Sequence, residues 1–590
     1  MKNDDLCSMM IADRYLDIIT TSQEGDLACR CRKLLEQVDP DRTILKIVFF
    51  IDAVPEDFAS LNDTVLNECR LFFGKVMPLT TCIAQKPVGN TLSAEVTYID
   101  SDCTLEYGVD YTVILHDDTK ELITKGISFP DAGDTGQQAR MVFGRIGEIL
   151  EAEGFEVSEI VRQWNYIEGI TEVNSGIQNY QLFNDARSGF YSLAEWIGGY
   201  PAATGIGCGA GGVTVSIHAV KDAARFSRPI DNPIQVPAHG YSSKVLASGR
   251  DAVRTTPKFE RARLLGNTVL ISGTAAIKGE ASSPSPDPVL QAITAIDVLE
   301  HLVEPSNILP GCRNFRYGSL RVYIKHPEDA DAIVNTLKAY YSDIPMHFLM
   351  ADICRPELLL EIEGTGTVRR FLECCCTDAQ EAAEAEAGGA GRIELCEDLP
   401  CGGVTPSEMN IRSTLSAVRI PVNVLVRPRG GNFVYDEAEI LEMEESIRCC
   451  RDLGVNGVVI GALKHDGSVD METMRRLVKA AGPLEKTFHR AFDECSDPFQ
   501  ALEDIISLGF DRLLTAGHAT NVNEGARMLA RLQEKAAGRI VILAGSGVRP
   551  NNIAALESTT GISEFHSSSH GPDGRTSRDT VSEMVHISIN

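Results

Sequence analysis

The sequence predicts an α/β protein in which three α+β repeats precede a C-terminal (β/α)8 barrel. Three observations predict it. A chain of 590 residues is too long for one hydrophobic core. One plan of strands and helices recurs three times before residue 366. Eight short apolar strands then alternate with segments of helical period between Phe371 and Ser569.

Composition narrows the class. Hydrophobic residues make up 43% and charged residues 23%, the balance of ordinary globular protein. With 83 acidic against 55 basic residues the net charge is −28, which argues against nucleic acid or an anionic membrane as a main partner. The opening MKNDDLCSMMIADRY has acidic residues and no apolar stretch of signal-peptide type, and LKIVFFIDAV (45–54) is too short and too charged to span a bilayer. Seventeen cysteines without a secretory signal fit a reducing cytoplasm. The lack of any C-x-x-C pair argues against structural zinc or a thioredoxin-like motif. The clusters Cys374–Cys376 and Cys449–Cys450 read first as small buried apolar residues. No nucleotide cofactor is expected.

In the first repeat, ILKIVFFIDAVPEDFASLNDTVLNECRLFFG (44–74) reads as a strand, a turn and a helix ending in paired aromatics; 160–192 and 317–343 follow the same order. Each is followed by a strand led by a proline (77–86, 200–209, 344–354) and by a closing strand (91–99, 211–220, 357–366). The second and third repeats also open with a strand and helix, at 121–155 and 267–303, whereas the first looks truncated there. The units run 1–100, 101–225 and 226–366. The long irregular stretch 221–262 is of a length that is usually functional or disordered.

The barrel strands are FLECCCT (371–377), GRIELC (391–396), PVNVLVRP (421–428), GVVIGAL (457–463), KTFHRAFD (486–493), RLLTAG (512–517), RIVILAGSG (539–547) and EFHSSS (564–569). Between them lie amphipathic segments such as 378–390 and 497–509. Barrels of this kind carry their chemistry at the carboxyl ends of the strands. Read with period two, Glu373 and Cys375 share one face of the first strand, and Glu394 and Cys396 share one of the second. The third strand ends at Arg427, with Arg429 in the R-P-R-G-G loop. The fifth places His489 and Asp493 on one face. The seventh runs into Gly545, Ser546 and Gly547, whose N–H groups offer an anion seat. The eighth ends with His566 and three serines.

Two chemistries fit this rim. Cu(I) is soft and prefers thiolates, so Cys375 and Cys396 would supply a two-sulfur ligand set, against the reading that both merely fill the barrel. Alternatively, Arg427 and Arg429 would hold a small carboxylate or phosphate substrate, with His489 and either Asp493 or Glu394 as acid and base, against a plain network of rim salt bridges.

The repeats resemble the RidA/YjgF fold, a small α+β unit that is typically a homotrimer with clefts between neighbours; three in one chain would form a covalent pseudo-trimer. RidA imine deamination relies on an arginine after the proline of the third strand, and this chain has Leu79–Thr80, Ala202–Ala203 and Met346–His347 there. Residues 101–366 resemble the chorismatase (3-hydroxybenzoate synthase-like) family through NYQLFNDARSGFY (179–191), PAATGIG (201–207), NPIQVPA (232–238), PKFERA (257–262), LISGTAAI (270–277) and ADICRPELLLEIEG (351–364). That resemblance implies hydrolysis of an enolpyruvyl ether, with Glu361 as catalytic glutamate, Cys354 as pocket cysteine, and Arg187, Arg261 and Arg355 facing the substrate. The departure from the family pattern around Tyr241 to Val253 leaves the substrate open. Glu361 capping an exposed strand, in repeats that only bind or scaffold, is the bland alternative.

Residues 370–590 are identified as a member of the CutC family of copper-homeostasis proteins through RIELC, GGVTPS (402–407), VRPRGGNFVY (426–435), KTFHRAFDE (486–494) and AGSGV (544–548). The resemblance implies a TIM barrel and copper handling in the cytoplasm. Association of copies through the barrel stays open.

Overall fold

The computed structural model describes residues 14–20, 25–99, 103–116, 119–174, 176–242, 255–308, 315–368 and 370–585. It divides into two compact units at the step from Thr367 to Val368.

In the first unit three sheets repeat one strand order. Arg14–Thr20 lies beside Leu92–Ile99, then Thr43–Ile51, then Leu79–Ile83. Lys120–Thr124, Val213–Val220, Ile160–Glu168 and Ala202–Cys208 repeat that order. So do Thr268–Ala275, Leu360–Val368, Phe315–Ile324 and Met346–Met350. The last two strands of each set are parallel, which requires a crossover. The helices Pro55–Phe73, Asn179–Tyr191 and Ala330–Tyr340 provide it.

The first repeat, expected to lack its opening strand and helix, has both. Arg14–Thr20 pairs antiparallel with Leu92–Ile99, and helix Leu27–Leu35 follows, its first turn capped by Asp26, which accepts from the Cys29 N–H at 2.8 Å. The strand is short and broken in hydrophobicity by Asp17, which hid it. Within the irregular stretch, Ser227–Ile230 forms a hairpin edge with Ala262–Leu265. Of the segment from Tyr241 to Val253, all but Tyr241 and Ser242 lies outside the described residues.

Residues of all three sheets meet in one core, with Phe50, Tyr166 and Tyr323 packed among Val48, Ile206 and Leu349. Beside it lies a buried polar network: Arg321 bonds Glu95 and Glu363, Arg162 bonds Glu363, and His347 bridges Glu95 at 2.7 Å and Ser93 at 2.8 Å.

The second unit is a closed barrel of eight parallel strands in sequence order: Phe371–Cys376, Arg392–Leu395, Val422–Leu425, Gly457–Ile460, Glu485–Phe488, Arg512–Thr515, Val541–Gly545 and Glu564–Ser567. Every predicted strand is there. The fifth is shorter than expected: after Phe488 the chain enters a 3-10 turn over Arg490–Glu494, because the His489 side chain accepts from the Ala491 N–H and turns the backbone. Outward-facing Cys374, Val424 and Val458 pack under the surrounding helices. Ion pairs among Glu373, Arg392, Glu564, Arg512 and Glu485 fill the amino-terminal floor of the lumen. The carboxyl end is open. No helix among the described residues is long and apolar enough to cross a membrane.

Candidate functional sites

The first site lies between the second and third repeats. Strand Leu360–Val368 delivers Glu361, the loop before it delivers Cys354 and Arg355, and strand Ala262–Leu265 is preceded by Arg261; all four line one cavity of about 80 Å³. Glu361 is buried. Burial first, and then the Glu363 carboxylate, push its carboxyl up to about 8 against the pull of Arg261 and Arg162. A Cβ at Gly273 would stand 1.8 Å from Glu361 Oε1, so the glycine in LISGTAAI is there for space. Cys354 is pushed up to about 12 by burial and by Glu361, which keeps it a thiol.

Arg261 donates to Val236 O at 2.7 Å and to the Tyr241 hydroxyl at 2.6 Å, while its buried Nε has no partner. Tyr241 lies against both Arg261 and Arg355, with ring centroid distances of 5.4 and 5.2 Å. Arg187 does not reach this cavity. It is buried behind the wall, donates to Asn184 Oδ1 at 2.6 Å, and so positions a lining residue instead of facing a ligand. Tyr180, Asn184 and Tyr241 were not singled out from sequence; their only signal was membership in the matching motifs or in the irregular loop.

The second site is the open end of the barrel, a cavity of about 810 Å³. Cys375 lines one wall, and Cys396, buried and not itself in the lining, places its sulfur 3.6 Å from that of Cys375, far beyond the roughly 2.05 Å of a disulfide. Donor atoms of Cys375, Glu394 and His566 lie within 4.8 Å of one another. His566 donates from Nδ1 to Glu373 Oε1 at 2.8 Å, and its Nε2 is 4.0 Å from Glu394. Burial opposes charge on His566, but Glu394 and Glu373 outweigh it and raise its pKa. Burial raises Glu373 too, yet Arg392 and His566 bring it down to about 2. Glu394 is pushed up to about 7 by burial, His566 opposing and Glu373 adding, and its Oε2 is buried without a partner.

The opposite wall departs from expectation in three places. Arg427 is there, buried against Phe433 and tied to the carbonyls of Gly402, Gly403 and Gly431. Arg429 is not: the R-P-R-G-G turn sends it outward to Glu439 and over Tyr435. Asp493 is not a partner of His489. Its oxygens accept from Arg490, from the Thr515 hydroxyl and from the N–H groups of Ala516 and His518, because the turn after Phe488 carries it off the strand. Gly545 stays within the strand, while Ser546 and Gly547 line the cavity with φ of 82° each. Arg490, Arg549 and His518 also line it and were missed; Arg549 stands two residues past the glycine turn, which was the available signal.

Comparison with known proteins follows the same division. Residues 370–571 match the model of the CutC family, and residues 101–219 match the model described as chorismatase FkbO/Hyg5-like, N-terminal. A family protein CutC of Parabacteroides distasonis is 50% identical over 202 residues, 34% of this chain and 83% of the relative. A mouse protein named copper homeostasis protein cutC homolog is 43% identical over 219 residues, 37% of this chain and 79% of its own length. A solved chorismatase is 20% identical, covers 61% of this chain and 99% of its own, and superposes with a TM-score of 0.45.

Proposed function

We propose, from the premise that this chain belongs to the CutC family through its barrel, that it joins copper handling to hydrolysis of an enolpyruvyl ether such as chorismate. The repeats are then RidA-like units in a covalent pseudo-trimer, and the cleft between the second and third is the active one.

The observation that carries the enzymatic reading is Glu361, a buried carboxyl that holds its proton near neutrality beside two arginines. Glu361 donates that proton to the terminal methylene carbon of the ether. Water adds to the resulting oxocarbenium carbon and gives up a proton, and the hemiketal splits into pyruvate and the ring alcohol. Arg261 and Arg355 receive carboxylates. The cavity of about 80 Å³ would admit the reacting end, and Tyr241, whose ring lies against Arg261 and Arg355, would have to move to admit the ring. Pyruvate release from chorismate, followed with lactate dehydrogenase, tests it. No release by the wild type, or equal release by Glu361→Gln, overturns it.

For the barrel, copper is cargo. Two buried thiols 3.6 Å apart, with Glu394 Oε2 unpartnered beside them, fit a soft ion that prefers sulfur. Cys375 and Cys396 would hold Cu(I), with Glu394 and His566 as weaker donors, in a cytoplasm that keeps thiols reduced. Cu(I) competition against a chromogenic chelator tests this; unchanged affinity in Cys375→Ser/Cys396→Ser sinks it.

A further inference from the structure

The barrel wall facing away from the cysteines carries a charge that nothing in the protein answers. Arg427 is 6% exposed, and its guanidinium meets carbonyl oxygens, the face of Phe433 and the Tyr435 phenol, all of them uncharged groups. No carboxylate pairs with it among the described residues, and its Nε–H, buried in the wall, has no acceptor. A buried cation without a counterion is expensive, and its usual explanation is a ligand that supplies one.

A second donor stands beside it. His489 is 5% exposed. Its Nδ1 accepts from the Ala491 N–H at 3.2 Å, which fixes the proton of the neutral ring on Nε2. That Nε2 is also buried without a partner. Burial first, and Arg427 next, hold the imidazole pKa down to about 3, so the ring stays neutral and donates from Nε2. Arg427 and His489 therefore line the same cavity of about 810 Å³, each with one buried N–H that has no hydrogen-bond acceptor.

At the mouth, Arg549 bonds only Val548 O and the Ser567 hydroxyl, again with no carboxylate partner among the described residues. It follows the turn at Ser546 and Gly547, which leads into helix Pro550–Thr560. Of the acidic groups that line the cavity, Asp493 is neutralised by Arg490, Glu494 stands at the exposed rim, and Glu394 lies on the cysteine side by His566.

We infer that the barrel binds a small organic anion, a phosphate ester or a carboxylate, with its headgroup on Arg427 and His489 and Arg549 as a second cation at the mouth. This goes beyond the copper reading and uses the other wall of the same cavity. A metal ion on the cysteine side and an anion on this one would face each other, so the barrel would take copper together with an anionic ligand or act on the anion alone.

The test is calorimetric titration of the metal-free full chain with inorganic phosphate and, separately, with malonate. Arg261→Gln serves as the background, to remove anion binding in the N-terminal cleft. Saturable binding of one anion per chain is expected, about tenfold weaker in Arg549→Gln and in His489→Phe, whose ring keeps the contact with Phe433, and unchanged in the outward-facing Arg429→Gln. Preference between phosphate and malonate names the headgroup. Absence of saturable binding by either anion, or equal binding by all variants, overturns the inference. Cys375→Ser/Cys396→Ser should keep the anion, so failure of the copper reading leaves this one standing and the reverse.

Discussion

Replacing Glu361 with glutamine removes one proton and little volume, and the structure sets the size of two effects. The folded carboxyl sits at about 8 and the unfolded one at its ordinary 4.5. Between those values the unfolded chain ionises while the folded chain does not, so the folded state binds more protons and stability falls as pH rises. The contribution is fully present below pH 4.5 and is lost through the window up to about pH 8. At about 1.4 kcal/mol per pH unit, wild type loses about 3 kcal/mol between pH 4.5 and 7 that Glu361→Gln keeps. Both tryptophans, Trp164 and Trp196, lie in the first unit, so their fluorescence during urea unfolding of the full chain reports that unit alone. The catalytic effect runs opposite: pyruvate release should fall by about 10²–10⁴ in the variant, and in the wild type it should decline as pH passes 8. A stability difference that does not change with pH would refute the protonated buried carboxyl, whatever the activity.

Three further outcomes are expected. Gly273→Ala drives a Cβ into Glu361 Oε1 and should cut pyruvate release severely while tryptophan-reported stability changes little, since Glu361 can swing aside. Arg392→Met leaves Glu373 and Glu564 short of a partner in the barrel floor and should cost the second unit about 3–5 kcal/mol, read by far-ultraviolet circular dichroism of its unfolding. Tyr241→Ala uncovers Arg261 and Arg355 and should change KM for chorismate more than kcat; an unchanged KM would show that Tyr241 does not gate the cleft.

The barrel was legible because the strands are short, mostly buried runs of four to six residues whose lumen face alternates, and Cys375, Cys396 and Glu394 fell where that parity put them. Parity failed where the backbone left the strand. Asp493 follows His489 by four residues, which in a strand means the same face, yet the strand stops at Phe488 and the Ala491 N–H bond to the imidazole turns the chain between them. Arg429 failed for the same kind of reason: two arginines two residues apart share a face only if the chain stays extended, and the glycines after it break that. Arg187 was read as a ligand contact from its motif, and no pattern in the sequence distinguishes an arginine at a cavity from one that holds the asparagine in front of it. His566 and Arg549 were visible but unassigned, because their partners Glu394, Glu373 and Ser567 come from distant strands.

If the proposed hydrolysis holds, the closing strands predict how many of the three clefts work. Aligned by pattern, Leu92-Ser93-Ala94-Glu95, Val213-Thr214-Val215-Ser216 and Leu360-Glu361-Ile362-Glu363 place a serine and a threonine where the third repeat has its acid. Neither hydroxyl can supply a proton to carbon near neutrality. Thr214 stands by Thr81, whose hydroxyl takes the Gly126 N–H at 2.7 Å and helps close that cleft. Ser93 is different: with His347 and Glu95 it has the hydrogen-bond order of a hydrolase triad, at 2.8 and 2.7 Å. Yet Ser93 is 0% exposed, and Arg321 already claims the Glu95 carboxylate, so the set is sealed and internally satisfied. Under the proposed hydrolysis, two of the three clefts would serve cohesion and one chemistry. Equilibrium dialysis of the Arg549→Gln/His489→Phe chain, whose barrel anion site is weakened, with a chorismate analogue whose ether oxygen is replaced by methylene should give one bound molecule per chain, lost when Arg261→Gln is added. A stoichiometry of two or three would mean that a hydroxyl-lined cleft opens in solution, and the assignment of the acid as the feature that selects the working cleft would fall.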